Sequence, residues 1–361
     1  MNKDLLFLGT EFGLYVSLDG GGKWSRYKGG DLPSVAVRDL AIHPRDNDLV
    51  IATHGRGIWI IDDITPLRAL TPATLAKNAV FMPQRPTVQR PSVFGGWVNG
   101  DASFVGQNPS DDAVITYYLQ KRHIFGDMKL EVLDSAGNVV GTMPTTKRRG
   151  LSRVTWSMRL KAPTVPAAAS AAGGATIGPR LLPGTYTVRM TKDKDVITTP
   201  LVVVSDPRLT HTPADRAAQF ALSKRLADML GEMSSVVDRL NAVRLGLDDR
   251  AAKLPAGDPL VARLRSASAS ADAMRKKIVA TKEGGMITGE ERLRENLADL
   301  YGSVSGYDGR PTQMEIDRAD AIGREVADIS KDFDAWVAKE LTGLNAEITA
   351  KKLEAVTPPA K

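Results

Sequence analysis

The N-terminal part of the chain is organised around the stretch Ser17-Leu18-Asp19-Gly20-Gly21-Gly22-Lys23-Trp24. The Asp19 carboxylate can accept backbone N–H groups of its own turn, and the glycines allow positive φ angles. Trp24 supplies apolar area that can cover such a turn. We therefore interpret the stretch as a hairpin turn that stabilises the fold. A sugar-binding or metal-binding site is the alternative interpretation.

Two series of short apolar runs surround this turn and predict β-strands separated by tight turns. The second series echoes the first, and the corresponding glycines, Gly13 and Gly57, are 44 residues apart. This distance is close to the roughly 40–45 residues of a β-propeller blade. The predicted strands cannot close a ring, because a propeller needs roughly four to eight blades of about four strands each. They are Leu5–Gly9, Gly13–Ser17, Trp24–Tyr27, Val37–Ile42, Leu49–Thr53 and Ile58–Ile61.

An incomplete ring would leave apolar strand edges without neighbours. The runs Leu5–Leu8 and Val50–Ala52 are the ones that we expect at such edges. Unpaired apolar edges promote association with other strands. Residues 1–64 should therefore be the least stable part of the chain.

Residues 65–112 are rich in Pro, Gly and Asn and contain few periodic runs, which is typical of a connecting segment. The segment also holds several aromatic residues, whereas a disordered linker is poor in them. We therefore expect an ordered connector that lies over other parts of the protein. Its aromatic residues include Phe81, Phe94, Trp97 and Phe104.

Residues 113–207 return to short strands. About seven strands in this length favour a β-sandwich, and Trp156 and Tyr186 are its expected core aromatics. Inside this segment, Ala162–Gly178 is rich in Ala, Gly and Pro. This composition predicts a mobile and dispensable loop, because almost no large side chain is present to anchor it.

The pattern becomes helical in residues 208–361. Thr212 is a good N-cap, with Pro213 at the first helical position and Asp215 in the first turn. Apolar residues then recur at alternating spacings of four and three, which predicts one buried stripe. We expect these helices to pack as an antiparallel bundle. The stripe consists of Leu226, Leu230, Met233, Val237 and Leu240.

Composition excludes several classes of protein. Of 361 residues, 42% are hydrophobic and 25% are charged, which excludes a largely disordered chain. The absence of cysteine excludes disulfides and thiolate chemistry, and the four histidines are far apart, so we expect no metal site and no cofactor. No apolar run is long enough to span a bilayer. Asp4 interrupts the first apolar stretch, which predicts that the chain carries no signal peptide.

The formal charge of +6 is concentrated in one segment. Residues 113–207 hold 13 basic and 6 acidic side chains. A nucleic-acid-binding protein usually combines such an excess with a recognisable module, and we identify none, so no nucleic-acid partner is expected. Within the segment, Lys147-Arg148-Arg149 is interpreted as a solvated basic turn. Contact with an acidic surface is the alternative.

The best candidate for a binding turn is His54-Gly55-Arg56-Gly57. Arg56 can project from a propeller face, and His54 can titrate near neutral pH. The interpretation that we favour is a tight turn whose arginine pairs with an acidic neighbour such as Asp62 or Asp63, since turn glycines need no ligand to explain them. We assign no catalytic residue, since spacing alone cannot pair two carboxylates as a glycosidase requires. The carboxylates available in this part of the chain include Asp39, Asp46, Asp48, Asp62 and Asp63.

Several segments together resemble one family. Ser17, Asp19, Gly21 and Trp24 match the Asp-box, Ser/Thr-x-Asp-x-Gly-x-Thr-Trp, with Lys23 in place of the usual Thr. With the segments around them, they resemble the last blades of bacterial sortilin-like, BNR-repeat "glycosyl hydrolase-like" propeller proteins. The resemblance covers nearly the whole chain. Its segments are Phe7–Ser17, Ala52–Asp63, Gly106–Pro109, Ile115–Leu119, Leu182–Val188 and Asp308–Thr312.

The resemblance implies a fold of several domains. Residues 1–64 would be incomplete propeller blades, 65–112 a connector, 113–207 an immunoglobulin-like β-sandwich and 208–361 an antiparallel α-helical bundle. The sandwich segment also resembles the immunoglobulin-like domain of flagellar hook-capping proteins. The resemblance further implies an extracellular or periplasmic protein whose other blades lie upstream or in a partner polypeptide.

Two functions follow from this interpretation. The first is a non-catalytic C-terminal region of an exported propeller protein, with a role in binding or assembly and possible carbohydrate or peptide ligands. The alternative is part of a glycoside hydrolase, or of another hydrolase, whose active site lies in the missing blades. That alternative rests on the fold-level resemblance, which does not by itself imply an activity.

Overall fold

The structure is a computed structural model that describes residues 2–90, 109–282 and 289–360. Contacts divide the chain into two compact units. The first contains the described residues up to Met158 together with Pro183–Pro207, and the second contains Arg159–Leu182 together with the described residues from Arg208 onward. Arg159–Leu182 thus belongs with the helices, although its sequence position lies inside the predicted sandwich.

Six short strands occupy the N-terminal part of the first unit. They are β1 (Leu6–Thr10), β2 (Gly13–Ser17), β3 (Ser25–Arg26), β4 (Val37–Ile42), β5 (Leu49–Thr53) and β6 (Ile58–Ile61). They form two three-stranded antiparallel sheets, ordered β1-β2-β3 and β4-β5-β6. Both sheets contribute to one small core, in which Leu14, Leu49 and Ile51 are almost completely buried. The predicted strand positions are confirmed to within one residue at each end.

The predicted connector is built into the sheets of the first unit instead of lying over them. Its described elements are the helices α1 (Thr65–Arg68) and α2 (Pro72–Leu75) and the strands β7 (Ala79–Phe81) and β8 (Thr87–Gln89). β7 pairs antiparallel with Ala113–Leu119, and β8 pairs parallel with Asp195–Ser205. Phe81 therefore lies in a sheet. Phe94, Trp97 and Phe104 lie outside the described residues.

The remaining strands complete two larger sheets. They are β9 (Ala113–Leu119), β10 (Met128–Leu133), β11 (Val139–Met143), β12 (Gly150–Trp156), β13 (Gly184–Lys192) and β14 (Asp195–Ser205). One sheet has the order β12-β9-β7 and the other the order β11-β10-β13-β14-β8. Trp156 of the first and Tyr186 of the second meet edge to face, with ring centroids 5.3 Å apart. Both are buried, which confirms them as core aromatics.

The second unit consists mainly of helices that pack together. They are α3 (Pro213–Ala252), α4 (Pro259–Ile278), α5 (Leu293–Gly306), α6 (Gln313–Trp336) and α7 (Thr342–Ala350), with a π-helical turn at Val337–Leu341. The predicted N-cap is confirmed: Thr212 Oγ1 accepts from the Asp215 N–H, and the Asp215 carboxylate accepts from the Thr212 N–H. A hydrogen bond from Arg310, followed by those from Thr212, lowers the pKa of Asp215 to about 2. The predicted stripe of α3 is also confirmed, since all five of its residues are buried.

The stretch Ala162–Gly178 packs against α5, so the expectation that nothing anchors it is wrong. Its backbone approaches the helix at Gly174, where an added Cβ would lie well under 3.0 Å from the backbone oxygen of Ala298. Gly302 of α5 faces Gly174, and neither position has room for a side chain. The small residues that suggested mobility are the ones that permit this close contact.

Polar contacts fasten the same stretch to α5. The buried Arg294 guanidinium donates from Nε to the Pro166 backbone oxygen at 2.8 Å and from Nη1 to the Ser170 backbone oxygen at 3.0 Å. Tyr301 donates its hydroxyl hydrogen to the Ile177 backbone oxygen at 2.6 Å. Backbone acceptors of the loop therefore satisfy donors of a buried helix face.

A buried carboxylate, that of Asp308, joins three segments of the second unit. It accepts from Arg180 Nη1 at 3.0 Å and lies 3.2 Å from Arg216 Nη1. All three side chains are buried. Burial lowers the pKa of the Arg216 guanidinium, and the Asp308 charge opposes that shift. Asp308 thus connects the segment that follows the Ala162–Gly178 loop, the first turn of α3 and its own segment before α6.

Candidate functional site

The four Asp-box residues lie together at the turn between β2 and β3. Ser17 Oγ donates to Asp19 Oδ1 at 2.8 Å and accepts from the Gly21 N–H at 2.9 Å. Asp19 Oδ1 also accepts from the Lys23 N–H at 2.8 Å. These two hydrogen bonds, that of Lys23 first, lower the pKa of Asp19. Because Lys23 contributes its backbone, the replacement of Thr by Lys leaves this contact intact.

The other residues of the Asp-box turn also make their contacts within the turn. Gly21 has a φ of +99°, which glycine adopts without strain. The Trp24 ring lies beside Gly21, close to where a Cβ of that glycine would be. Ser17 is completely buried beneath the turn. The geometry therefore favours the interpretation of a fold-stabilising turn over that of a ligand site.

His54 and Arg56 lie in the exposed turn between β5 and β6. Gly55 and Gly57 flank Arg56 and both have positive φ, +73° and +69°. Trp59 Nε1 donates to the Arg56 backbone oxygen at 2.9 Å, which holds the turn in place. The Arg56 side chain forms no ion pair with any described residue. The turn thus presents an arginine to solvent at one end of the sheet.

Four of the aspartates near this turn form hydrogen bonds or ion pairs through their carboxylates, namely Asp39, Asp46, Asp48 and Asp63. Asp63 and Asp46 each lie 3.5 Å from the Arg85 guanidinium. Asp48 accepts from the Asp63 N–H at 2.9 Å. Burial, and then the Asp48 charge, raises the pKa of Asp62. Across residues 2–90, 109–282 and 289–360, no group of three or more His, Asp or Glu side chains could hold a metal ion.

The two small sheets expose apolar side chains on their edge strands. Leu6 and Leu8 of β1 are exposed. Ile58 and Ile60 of β6 are exposed as well, and Ile58 is 72% exposed. We call these four the exposed edge residues. The side chains between them point the other way and pack on the shared core, as the two-residue period of a strand requires. β1 and β6 are both edge strands of their sheets.

The sequence predicts only part of this surface. The predicted edge position of Leu5–Leu8 agrees with β1, which is an edge strand. The predicted edge position of Val50–Ala52 is wrong, because β5 is the central strand of its sheet and Ile51 is fully buried. The missed signal is the alternation within Ile58-Trp59-Ile60-Ile61, where Ile58 and Ile60 share one face.

Comparison of the chain with protein-family models, curated proteins and solved structures found no match. The described part of the chain contains no helix that is long and apolar enough to span a membrane. The Asp-box turn, the Arg56 turn and the exposed edge residues are thus the features that bear on function.

Substitution Asp19→Ala is expected to open the β2–β3 turn, because it removes the acceptor of the Ser17 hydroxyl and of the Lys23 N–H. Amide exchange at Gly21 and Lys23 should become faster, while exchange in the five-stranded sheet stays unchanged. Hydrogen exchange read by NMR measures both. The control is Asp31→Ala, at an exposed position. Equal effects of the two substitutions would contradict the role given to Asp19.

The same turn should respond to acid in one direction. The pKa of Asp19 is lowered from its ordinary value of 3.8, so its stabilising contribution is fully present above that value. It is lost only as the pH falls through the lowered pKa. The midpoint of the pH-dependent change in the Lys23 amide chemical shift should therefore lie below pH 3.8. A midpoint above that pH would contradict the role given to Asp19.

Proposed function

We propose that this chain is a non-catalytic binding or assembly region of an exported protein, and that residues 2–64 are part of a β-propeller that another segment completes. The missing strands come from upstream in the same protein or from a partner polypeptide. In this proposal the two larger sheets form an immunoglobulin-like sandwich, and the helices form an antiparallel bundle. The single observation that carries the proposal is the apolar exposure of the edge strands β1 and β6.

The strand count supports an incomplete ring. A propeller blade has about four strands, whereas each small sheet here has three. In a closed ring, neighbouring blades cover each other's faces and protect the edges. A strand added along β6 would pair its free backbone groups, and an adjoining blade would cover Ile58 and Ile60.

The polar groups support a binding role without catalysis. The Asp-box turn uses its hydroxyl and carboxylate within the turn. Asp46 and Asp63 are engaged with Arg85, and Asp48 with a backbone N–H group. The exposed Arg56, with His54 beside it, is suited to a carbohydrate or peptide ligand on the propeller face. A site outside the cytoplasm agrees with the family resemblance.

The assembly part is tested with the full chain and the variant Ile58→Lys/Ile60→Lys. We expect the wild-type chain to self-associate as its concentration rises and the variant to remain monomeric, because lysines on an edge strand oppose pairing. Sedimentation velocity measures both. The control Leu245→Lys changes a 57% exposed leucine on α3 and should leave association unchanged. A wild-type chain that is monomeric at high concentration, with residues 2–64 protected from exchange, would overturn the proposal.

The non-catalytic part is tested separately with a panel of glycosides and peptides. We expect no turnover by the purified chain, because Asp46, Asp48 and Asp63 serve hydrogen bonds and ion pairs. Turnover by the chain alone would contradict the proposal. Turnover that arises only when the missing blades are supplied would favour the hydrolase alternative.

A further inference from the structure

We propose that one end of the two larger sheets docks on an anionic membrane surface. In this arrangement Ile124 and Phe125 enter the interfacial region of the bilayer, and the surrounding basic side chains contact lipid phosphates. This goes beyond the proposed function, since it involves neither the small sheets nor the missing blades.

Three connections meet at this end, which we call the basic loop end. They are residues 120–127 between β9 and β10, residues 144–149 between β11 and β12, and residues 193–194 between β13 and β14. The His123 N–H donates to the Lys147 backbone oxygen at 2.9 Å, and the Asp193 N–H donates to the Asp127 backbone oxygen at 3.0 Å. The loops therefore brace one another.

The apolar pair lies at the tip of the longest of these connections. Ile124 is 65% exposed and Phe125 is 85% exposed, the largest value for a bulky apolar side chain in the part of the chain that the structure describes. Removing the apolar surface of these two adjacent side chains from water is favourable, so the pair is suited to burial in an apolar environment. A single exposed leucine would need no such explanation.

Neighbouring groups hold the tip in this outward conformation. Lys147 Nζ donates to the Gly126 backbone oxygen at 2.7 Å. Gly126 has a φ of +87°, and a Cβ there would clash with the Asp193 carboxylate. The pair is thus presented by a structured loop whose shape depends on glycine. A presented apolar pair is suited to insertion, because little ordering is needed on binding.

The charge around the pair complements an anionic surface. The three connections and the residues that border them carry seven basic and three acidic side chains. The basic residues are Lys121, Arg122, Lys147, Arg148, Arg149, Lys192 and Lys194, and the acidic ones are Asp127, Asp193 and Asp195. Among the structurally described residues, none forms an ion pair with the exposed Lys121, Arg122, Arg148 or Arg149.

Apolar insertion and basic contacts together are the combination that binds the surface of an anionic bilayer. A purely electrostatic partner, such as an acidic protein or a nucleic acid, would explain the basic side chains but would leave Ile124 and Phe125 in water. The membrane surface satisfies both groups at once, which is why we favour it.

The test is co-sedimentation of the full chain with vesicles of phosphatidylcholine alone and with vesicles of equal parts phosphatidylcholine and phosphatidylglycerol. We expect binding to the anionic vesicles that decreases with added salt, and little binding to the neutral ones. The variants Ile124→Ser/Phe125→Ser and Arg148→Glu/Arg149→Glu should each weaken partitioning by about tenfold or more. Both change exposed side chains, and thermal unfolding checks that the fold persists.

Two matched controls accompany these variants. Phe12→Ser removes a 73% exposed phenylalanine from the β1–β2 turn, and Arg265→Glu/Lys277→Glu reverses two exposed basic charges in the second unit. Neither should change binding. Absence of binding, or equal binding to neutral vesicles, would overturn the proposal. It would also be overturned if only the arginine variant lost binding, because Ile124 and Phe125 would then not enter the bilayer.

Discussion

Replacement of Ala162–Gly178 by a short Gly-Ser turn is expected to destabilise the second unit by more than about 4 kcal/mol. The replacement removes the oxygens of Pro166 and Ser170 that accept hydrogen bonds from the buried Arg294 guanidinium. The ion pair with Glu295 is then the contact that remains for this guanidinium. The replacement also removes the Ile177 acceptor of the Tyr301 hydroxyl and takes Ala175 out of the core of the second unit. The Leu160 N–H donates to the Pro179 backbone oxygen at 2.9 Å, so the ends are close enough for a short turn. Urea unfolding followed by helical circular dichroism measures the loss.

A matched pair of glycine substitutions separates loop packing from the effect of shortening the chain. Gly174→Ala should destabilise by about 1–3 kcal/mol, because its Cβ would press on the backbone of α5. Gly173→Ala should stay within about 0.5 kcal/mol, since an added Cβ there meets nothing within 4 Å. Equal effects at the two positions, or a replacement that costs less than about 1 kcal/mol, would show that the loop is not anchored.

Substitution Asp308→Ala should destabilise the second unit by about 3–5 kcal/mol, the usual result of removing one partner from a buried ion pair. It removes the carboxylate that contacts both Arg180 and Arg216. Arg216 would then remain buried as a cation beside Gln219. The same unfolding measurement reports the loss.

The control for this substitution is Asp228→Ala. Asp228 pairs with Lys224 at 2.6 Å, and both side chains are more than half exposed. Exposed pairs of this kind contribute about 0–1 kcal/mol, so the control should change stability little. Comparable losses for the two aspartates would contradict the importance of the buried carboxylate.

Features that depend on a few neighbouring residues could be inferred from the chain alone. The strands between Leu6 and Ile61, the Thr212 cap and the buried stripe of α3 all follow from short-range periodicity and turn chemistry. The Asp-box turn belongs to the same class, because its hydrogen bonds join residues that are two to four positions apart. The prediction that Arg56 pairs with a neighbouring aspartate is wrong for the opposite reason, since a side chain's partner depends on three-dimensional position.

Only the tertiary structure decided which segments share a core. β7 and β8 join sheets whose other strands lie far along the chain, and no local pattern encodes that register. Ala162–Gly178 shows the limit most clearly, because small residues suit both a free loop and close contact between backbones. Its surroundings decide between these two conformations. The loop can contact Ala298, Gly302 and the N–H donors of Arg294 only after the helices have packed.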